Sequence, residues 1–352
     1  MMPIMGRAIL TRVLGSIFTM LARLRLASLA AFLFRWTLRE FREVEPPTAT
    51  NPYTILMLPR VIFTEDVAAT FCGTGTFRVL RPFGGAIKSL ASGILPPLTH
   101  TNFYAVDDPM LNQGKHAYRE FLVQMWSTLQ KSKQIDAVVT GNFGYWAERE
   151  LASALESLGV PFIAMHKESL KTQGYIDFIS KIYRERRGSF TGRRILVYNE
   201  IERQLQIDSG VIEPDKITVG GMPRLDRLHE WRREEAKRSV QKDHRPQILF
   251  FSFIPKGVLP RIVRRAHDSD GAWEEELEED YANLSWQELA TTTHKVIVQL
   301  AREHPEIDVV VKSKEATRER TGTFEMLQDD QIQPSNLSIV AGNDPCELIM
   351  AS

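Results

Sequence analysis

Cysteine is scarce in this sequence, and its two cysteines are not spaced as metal ligands. Cys72 and Cys346 are the only cysteines in the chain, and no Cys-x-x-Cys pair or zinc-type Cys/His spacing occurs. A disulfide framework is therefore not expected, and a reducing, cytoplasmic environment fits best. The sequence predicts no metal site and no cofactor.

The chain also lacks an excess of charge of one sign. Lysine plus arginine and aspartate plus glutamate both number 44, so the formal net charge is zero. This balance argues against a surface built to bind nucleic acid, and we expect no nucleic-acid partner. The average hides an uneven distribution, because residues 1–42 contain seven arginines and a single acid. The rest of the chain is mildly acidic.

Uncharged hydrophobic runs long enough to cross a bilayer are absent. Within the apolar segment 8–34, the longest uncharged runs are residues 13–22 and 26–34, and a span needs about 20 apolar residues. We interpret residues 1–45 as a basic, apolar leader helix and linker. Segment 8–34 then lies on a membrane surface, with arginines on anionic headgroups. A targeting peptide and a helix that caps the first domain are the alternatives.

After a proline-containing break at residues 45–52, short apolar runs alternate with helical patterns. The predicted strands are residues 53–58, 77–80, 136–140, 161–166, 195–199, 217–219, 247–253, 307–312 and 336–340. The predicted helices are residues 113–130, 145–158, 170–186, 224–240, 286–303 and 316–327. This alternation is typical of parallel sheets, so we predict an α/β fold with two Rossmann-like domains.

A charged segment at residues 242–245 marks the predicted domain boundary. Residues 46–244 then form the first domain and residues 245–352 the second. Asp344 begins a last helix, and the sequence ends at Ser352 within about two turns of it. We expect the second domain to be incomplete at its C-terminus.

Glycines and an amide follow the predicted strand 136–140. In doubly wound sheets, ligands bind beyond the carboxyl ends of the strands. Gly141, Asn142 and Gly144 stand there and allow the backbone to approach a ligand closely. We interpret them as acceptor-side residues, and a tight turn is the alternative.

Three ionisable residues follow the next predicted strand. His166 is the candidate general base, and Glu168 is either its orienting partner or the base itself. Lys167 joins the acceptor-side residues as a possible phosphate contact. The alternative is a solvated loop that Ser169 caps.

Positive charge recurs at other predicted strand ends, where a departing nucleotide phosphate needs it. Taken singly, each such residue fits an ordinary surface position as well as a phosphate-binding role. Together with a glycine at a turn and an acid in the last helix, the candidate donor- and phosphate-binding residues are Gly221, Arg224, Lys256, Lys312, Lys314 and Glu347.

Several stretches resemble one known family. They include PFIAMHKES at 161–169, HPEIDVVVKSKE at 304–315, NLSIVAGNDPCELIMAS at 336–352, and the longest, ILVYNEIERQLQIDSGVIEPDKITVGGMPRLDRL at 195–228. These stretches resemble bacterial GT-B glycosyltransferases of the surface or capsular polysaccharide type. Related groups are the CDP-glycerol glycerophosphotransferases and the UDP-N-acetylglucosamine 2-epimerases. Residues 1–130 match only by general pattern.

The resemblance implies an acceptor bound mainly to the first domain and a nucleotide-activated donor bound mainly to the second. The implied reaction moves a sugar or an alditol phosphate to a membrane-linked glycan or lipid, with the enzyme peripheral on the inner face of the bacterial membrane. Alternatives are a sugar-nucleotide 2-epimerase and a non-catalytic scaffold of a polysaccharide assembly complex.

The sequence departs from the family pattern at two places. Residues 312–314 read Lys-Ser-Lys, where the CDP-glycerol group typically has a Lys-x-His-Pro-like element. The Gly/Ser-rich donor segment expected after the last helix lies beyond the end of the sequence. We therefore expect less than full activity from this chain alone.

Overall fold

The structure is a computed structural model. The residues it describes are 4–59, 63–97, 99, 104–167, 173–237, 245–253, 261–265, 273–277, 286–313, 334–341 and 345–351. The chain divides into two compact units, which are Met1–Arg224 with Val263–Glu274 and Leu225–Ile262 with Glu275–Ser352. The boundary predicted at residues 242–245 stays a prediction, because residues 238–244 lie outside the described residues. Within the described ranges, no helix combines the length and the hydropathy needed to cross a bilayer.

The first unit is built on a seven-stranded sheet in the order β1-β3-β2-β4-β5-β6-β7. The strands are β1 (Arg39–Glu40), β2 (Tyr53–Met57), β3 (Phe77–Arg81), β4 (Ala137–Thr140), β5 (Phe162–Met165), β6 (Arg194–Val197) and β7 (Ile217–Val219). All neighbours pair in parallel except β1 with β3. The predicted α/β class with parallel sheets is confirmed.

Buried apolar side chains explain why these segments form central strands. Ile55 lies in register with Val79 on one side and Ala137 on the other, and all three belong to one buried cluster with Phe63. A strand that is buried on both faces needs apolar residues at nearly every position. The short runs in the sequence meet this requirement.

In the described part of the first unit, α-helices accompany this sheet. They are α1 (Ile4–Arg23), α2 (Ala27–Thr37), α3 (Phe63–Phe71), α4 (Ala86–Ile94), α5 (Pro109–Gln130), α6 (Arg149–Ser157), α7 (Gln173–Ile182) and α8 (Glu200–Asp208). Local capping fixes two of their starts. Asp108 accepts from the backbone N–H of Leu111 at α5, and Asn199 accepts from that of Glu202 at α8.

The leader packs onto the first unit by one face. Phe18 of α1 is completely buried and stacks on Phe83, with 6.3 Å between ring centroids. Phe34 of α2 is also completely buried, 6.0 Å from Trp126 of α5. The two helices therefore belong to the fold of this unit. The same helices expose other apolar side chains on their outer face.

The second unit contains a three-stranded parallel sheet in the order β12-β11-β8. Its elements are α9 (Asp226–Glu235), β8 (Gln247–Phe251), α10 (Trp286–Glu303), β11 (Asp308–Lys312), β12 (Leu337–Val340) and α11 (Pro345–Ala351). The strands β9 (Arg261–Arg265) and β10 (Trp273–Leu277) pair with each other, and each is divided between the two units. Val309 and Val311 of the central strand β11 pack against Val298 of α10. The predicted helix at residues 316–327 lies outside the described residues.

Candidate functional site

The described candidate residues, apart from Glu347 on α11, fall at the carboxyl ends of strands. Three further candidates, Glu168, Lys256 and Lys314, lie outside the described residues. The described candidates are Gly141, Asn142, Gly144, His166, Lys167, Gly221, Arg224, Lys312 and Glu347. Their surroundings differ strongly from one strand end to the next.

His166 directly follows β5 and belongs to a buried polar network. Its Nε2 lies 3.1 Å from Oε1 of Glu202, and both side chains are completely buried. The same oxygen accepts from the hydroxyl of Tyr183 at 3.0 Å and from Nε2 of Gln206 at 2.8 Å. The two donors to this oxygen that do not depend on the histidine, the Tyr183 hydroxyl and the Gln206 amide, favour the ionised form of Glu202. Glu202 thus lies where an orienting partner of His166 would lie. The role predicted for Glu168 stays a prediction, since that residue lies outside the described residues.

This network fixes the tautomer of His166. An ionised carboxylate only accepts hydrogen bonds, so the imidazole Nε2 carries the proton that it donates to Glu202. The other ring nitrogen, Nδ1, then carries the lone pair. A histidine whose N–H is held by a carboxylate has the electronic arrangement of a general base. At this strand end the structure contains a completely buried, oriented imidazole.

The loop after β4 is closely packed. A Cβ on Gly141 would lie 2.9 Å from the Phe63 ring, so only glycine allows α3 to approach this loop. Asn142 is buried, and its side-chain oxygen accepts from the backbone N–H of Gly144 at 2.7 Å. Lys167 donates its backbone N–H to the carbonyl of Gly141 at 3.0 Å. These contacts join the loop to the strand end that carries His166.

Arginine and aromatic rings enclose the histidine network. The ring of Phe143 lies 5.1 Å from those of His166 and Tyr183. The guanidinium of Arg187 lies 5.2 Å from the Tyr183 ring centroid and 5.9 Å from that of Phe143. Burial lowers the pKa of Arg149, and the like charge of Arg187 acts in the same direction. Arg187 therefore places a positive charge against the aromatic rings that contact the candidate base.

Arg224 is neutralised within the first unit. Its Nη1 lies 3.2 Å from Oδ2 of Asp66, which is buried on α3, and its Nη2 donates to the Tyr198 hydroxyl at 3.0 Å. That hydroxyl in turn donates to Asp66 at 2.6 Å. Burial and the hydrogen bond to Asp66 raise the pKa of Tyr198. The cluster connects α3 to the ends of β6 and β7. Gly221 precedes it with a positive φ of 76° that favours glycine.

Lys312 ends the central strand of the second sheet and is only 9% exposed. Its Nζ donates to the backbone oxygen of Ser313 at 2.6 Å. In the part of the chain that the structure describes, no carboxylate forms an ion pair with it. This strand end therefore carries a nearly buried cation that is bound to a neutral oxygen.

A buried serine, Ser252, directly follows the neighbouring strand β8, and it contacts a buried histidine, His294, on α10. Nδ1 of His294 lies 2.7 Å from the carbonyl oxygen of Ala290 and therefore donates to it. Nε2 of His294 then accepts from the hydroxyl of Ser252 at 2.8 Å. This bond holds Ser252 at the carboxyl end of β8. Glu347, in contrast, is exposed on α11.

Glu202, Tyr183, Asp66 and Tyr198 were not predicted as site residues. Only Glu202 had a visible signal, since it stands three residues after Asn199 in the spacing of a capping box. That spacing predicts a helix start and says nothing about a contact with His166. Among the described residues, no group of three His, Cys, Asp or Glu side chains is placed to hold a metal ion.

No protein-family model matches the sequence, and no curated protein matches it. Among solved structures, UDP-GlcNAc 2-epimerase from Neisseria meningitidis bound to UDP-GlcNAc is similar at 12% identity and a TM-score of 0.42, covering 85% of this chain and 74% of that chain. UDP-GlcNAc 2-epimerase from Rickettsia bellii is similar at 10% identity and a TM-score of 0.39, covering 86% and 72%. A UDP-forming trehalose-phosphate synthase from Burkholderia xenovorans is similar at 12% identity and a TM-score of 0.38, covering 85% and 75%. The ligands and activities in these names are properties of those proteins.

Proposed function

We propose that this chain is a GT-B-type transferase. It moves a sugar or an alditol phosphate from a nucleotide-activated donor to a membrane-linked glycan or lipid acceptor. The observation that carries the proposal is Lys312, a nearly buried cation at the carboxyl end of the central strand of a parallel sheet. Ligands of α/β sheets bind at such strand ends.

The surroundings of Lys312 favour an anionic ligand. A buried ammonium group costs several kcal/mol unless an anion compensates it, and the described residues supply a carbonyl oxygen only. The phosphates of a nucleotide supply the missing negative charge. In the sequence, Lys256 follows β8 and Lys314 follows β11. We propose both as further phosphate-binding residues. We also propose Gly221, Arg224 and Glu347 as donor-binding residues.

The first unit supplies the proposed base. His166 takes the proton of the acceptor hydroxyl at Nδ1, while Glu202 holds the proton on Nε2. The acceptor oxygen forms the new bond to the transferred group, and the nucleotide leaves with the electrons of the broken bond. Because the imidazole is completely buried here, proton transfer requires this end of β5 to open around the acceptor. We propose Gly141, Asn142, Gly144 and Lys167, which lie in and beside the adjoining loop, as the acceptor-side residues.

The outer face of the leader supports a peripheral position on the inner face of the bacterial membrane. Leu29, Phe32 and Trp36 of α2 are exposed, and Phe32 is 69% exposed. Arg35 is exposed on the same helix. Apolar and basic side chains together are what an interfacial helix presents to anionic lipid. The enzyme would then meet its acceptor at the membrane surface.

A donor panel tests the proposed reaction. UDP-, GDP-, CMP- and CDP-linked donors are offered to the chain with bacterial membrane fractions as acceptor, and both nucleotide binding and nucleotide release are measured. We expect binding of at least one nucleotide and release that depends on the membranes. His166→Asn should abolish release and leave nucleotide binding intact.

His229→Asn is the matched control, since His229 is exposed on α9, and thermal melting checks the fold of each variant. Absence of binding to every nucleotide overturns the proposal. Release that persists in a folded His166→Asn variant overturns the role of His166 as the base.

A further inference from the structure

A groove of about 730 Å³ lies between α1 and the start of α4. Its lining includes Arg12, Ser16, Arg23, Gly84, Gly85 and Lys88. Arg12 and Arg23 lie about three turns apart on one helix and point to nearly the same side of it. Lys88 stands opposite them on α4. Three cations therefore face one groove.

These three cations have no counter-ion in the described part of the chain. No ion pair or hydrogen bond joins the side chain of Arg12, Arg23 or Lys88 to another described residue. The groove lining contains no acidic residue. A Cβ placed on Gly84 or Gly85 would meet nothing within 4 Å, so the floor of the groove is open. Open space surrounded by unpaired cations is suited to an anionic group.

Exposed apolar side chains lie beside the groove, on α1 and directly after it. Val13 and Met20 of α1 are 49% and 51% exposed, Leu24 after α1 is 59% exposed, and Met20 lines the groove itself. A soluble surface seldom presents several large apolar side chains together unless it has a partner. An anionic headgroup with attached acyl chains combines the two chemistries that this surface offers.

The groove lies at the carboxyl edge of the first sheet. Gly84 and Gly85 follow β3, and Gly85 and Lys88 also line a small cavity that reaches Glu148. Glu148 accepts a hydrogen bond from Thr140, the last residue of β4. His166 follows the neighbouring strand β5. A phosphate held in the groove therefore lies on the edge of the sheet that carries the proposed base.

We infer that the groove binds the phosphate of an anionic lipid headgroup, while Val13, Met20 and Leu24 contact the acyl region. This inference rests on the proposed membrane-linked acceptor and names the place where its lipid phosphate is held. Arg12, Arg23 and Lys88 bind the phosphate, and the start of α4 adds the positive end of its helix dipole.

The test compares two triple variants of equal charge change. The groove variant is Arg12→Ala/Arg23→Ala/Lys88→Ala, and the control is Lys131→Ala/Lys181→Ala/Arg227→Ala, since all six side chains are exposed. Binding is measured by co-sedimentation with vesicles of about three parts phosphatidylcholine to one part phosphatidylglycerol, and with phosphatidylcholine alone. Thermal melting checks that both variants fold.

On the anionic vesicles we expect the groove variant to bind about a hundredfold more weakly than the unmodified chain. Each basic residue near anionic lipid contributes about a factor of five. The control variant should stay within about threefold. Equal loss in both variants, or no loss in the groove variant, overturns the inference.

A soluble arm identifies the source of the phosphate. Glycerol 3-phosphate is titrated into the unmodified chain and the groove variant. Binding of the soluble phosphate without binding to anionic vesicles overturns the lipid assignment. Nucleotide binding is measured in parallel and should be the same in both variants. If the unmodified chain binds no nucleotide, the proposed function is overturned. If nucleotide binding is present but the groove variant and the control variant bind anionic vesicles equally, only this inference is overturned.

Discussion

In the first unit, the ionisable side chains Arg224 and His166 at strand ends each contact a buried carboxylate, whereas Lys312 in the second unit is bound only to a carbonyl oxygen. Arg224 is paired with Asp66, and His166 is hydrogen-bonded to Glu202. Lys312 is also nearly buried, but no acid among the described residues accompanies it. The two strand ends of the first unit thus have acidic partners within the fold, and Lys312 has none in the described part of the chain.

This difference separates positioning from binding. A paired, buried cluster holds elements together and fixes a tautomer, which is the requirement for a base that must be oriented. A buried cation without an acid is stabilised when an anion arrives, which is the requirement for a phosphate site. Variants in the first unit should therefore affect stability most, and Lys312 variants should affect ligand binding most.

The largest effect is expected for Glu202→Ala. It leaves His166, Tyr183 and Gln206 without their shared acceptor in a completely buried site, so the free energy of unfolding of the first unit should fall by about 3–5 kcal/mol. Urea denaturation measures it. Glu200→Ala, at an exposed position two residues earlier on the same helix, should cost less than about 1 kcal/mol. Equal losses would show that the network contributes nothing.

A smaller loss is expected for Asp66→Asn. The substitution removes the charge that Arg224 and the Tyr198 hydroxyl share, and it should lower the free energy of unfolding by about 2 kcal/mol. In a double-mutant cycle with Arg224→Met, part of this loss should disappear. Strict additivity of the two substitutions would contradict the pairing. Glu65→Gln, an exposed neighbour, is the control and should change stability by no more than about 0.5 kcal/mol.

Alkaline pH should destabilise the first unit. Burial raises the pKa of Tyr118 well above its usual value, and the nearby charges of Glu148 and Glu150 add to the shift. Above about pH 10 the unfolded chain loses this proton while the folded chain keeps it, so the free energy of unfolding falls with rising pH by about 1.4 kcal/mol per pH unit for this group. In Tyr118→Phe, the free energy of unfolding should therefore fall less steeply with pH, by about 1.4 kcal/mol per pH unit.

Denaturation at several alkaline pH values measures the slope. Tyr53→Phe is the control, because Tyr53 is 58% exposed, and it should leave the slope unchanged. An unchanged slope in Tyr118→Phe would show that the buried phenol ionises as readily as an exposed one.

The smallest effect on stability is expected for Lys312→Met in the absence of ligand. Methionine keeps much of the apolar stem of lysine and removes a buried charge that has no acidic partner among the described residues. The free energy of unfolding should be unchanged or raised by up to about 1 kcal/mol. Lys295→Met, at an exposed site on α10, is the control. A loss comparable to that of Glu202→Ala would remove the contrast between the two units.

The sequence predicted most of the strands, because a strand buried on both faces needs a continuous apolar run. Residues 217–219 were predicted with the observed bounds, and residues 286–303 were predicted as the helix that the structure contains. Helices α3 and α4 were missed. Each has only nine residues, which is too short for a clear helical period, and long-range packing of Phe63 and Leu90 stabilises them.

The candidate site was predictable only by position along strands. Strand ends identified His166, Arg224 and Lys312, since apolar runs stop where the sheet edge begins. The partners of these residues were not predictable. Asp66 and Arg224 are 158 positions apart in sequence, and no local pattern encodes a contact of that kind. The pairing follows from how α3 packs over the sheet.

Nucleotide binding by Lys312→Met is the most direct test of the central claim. UDP and CDP are titrated calorimetrically into the unmodified chain, Lys312→Met and Lys295→Met at one ionic strength. The account predicts that at least one nucleotide binds, that Lys312→Met weakens it by about thirtyfold or more, and that Lys295→Met does not change it. Equal affinity in all three proteins, or no binding to the unmodified chain, would contradict the account.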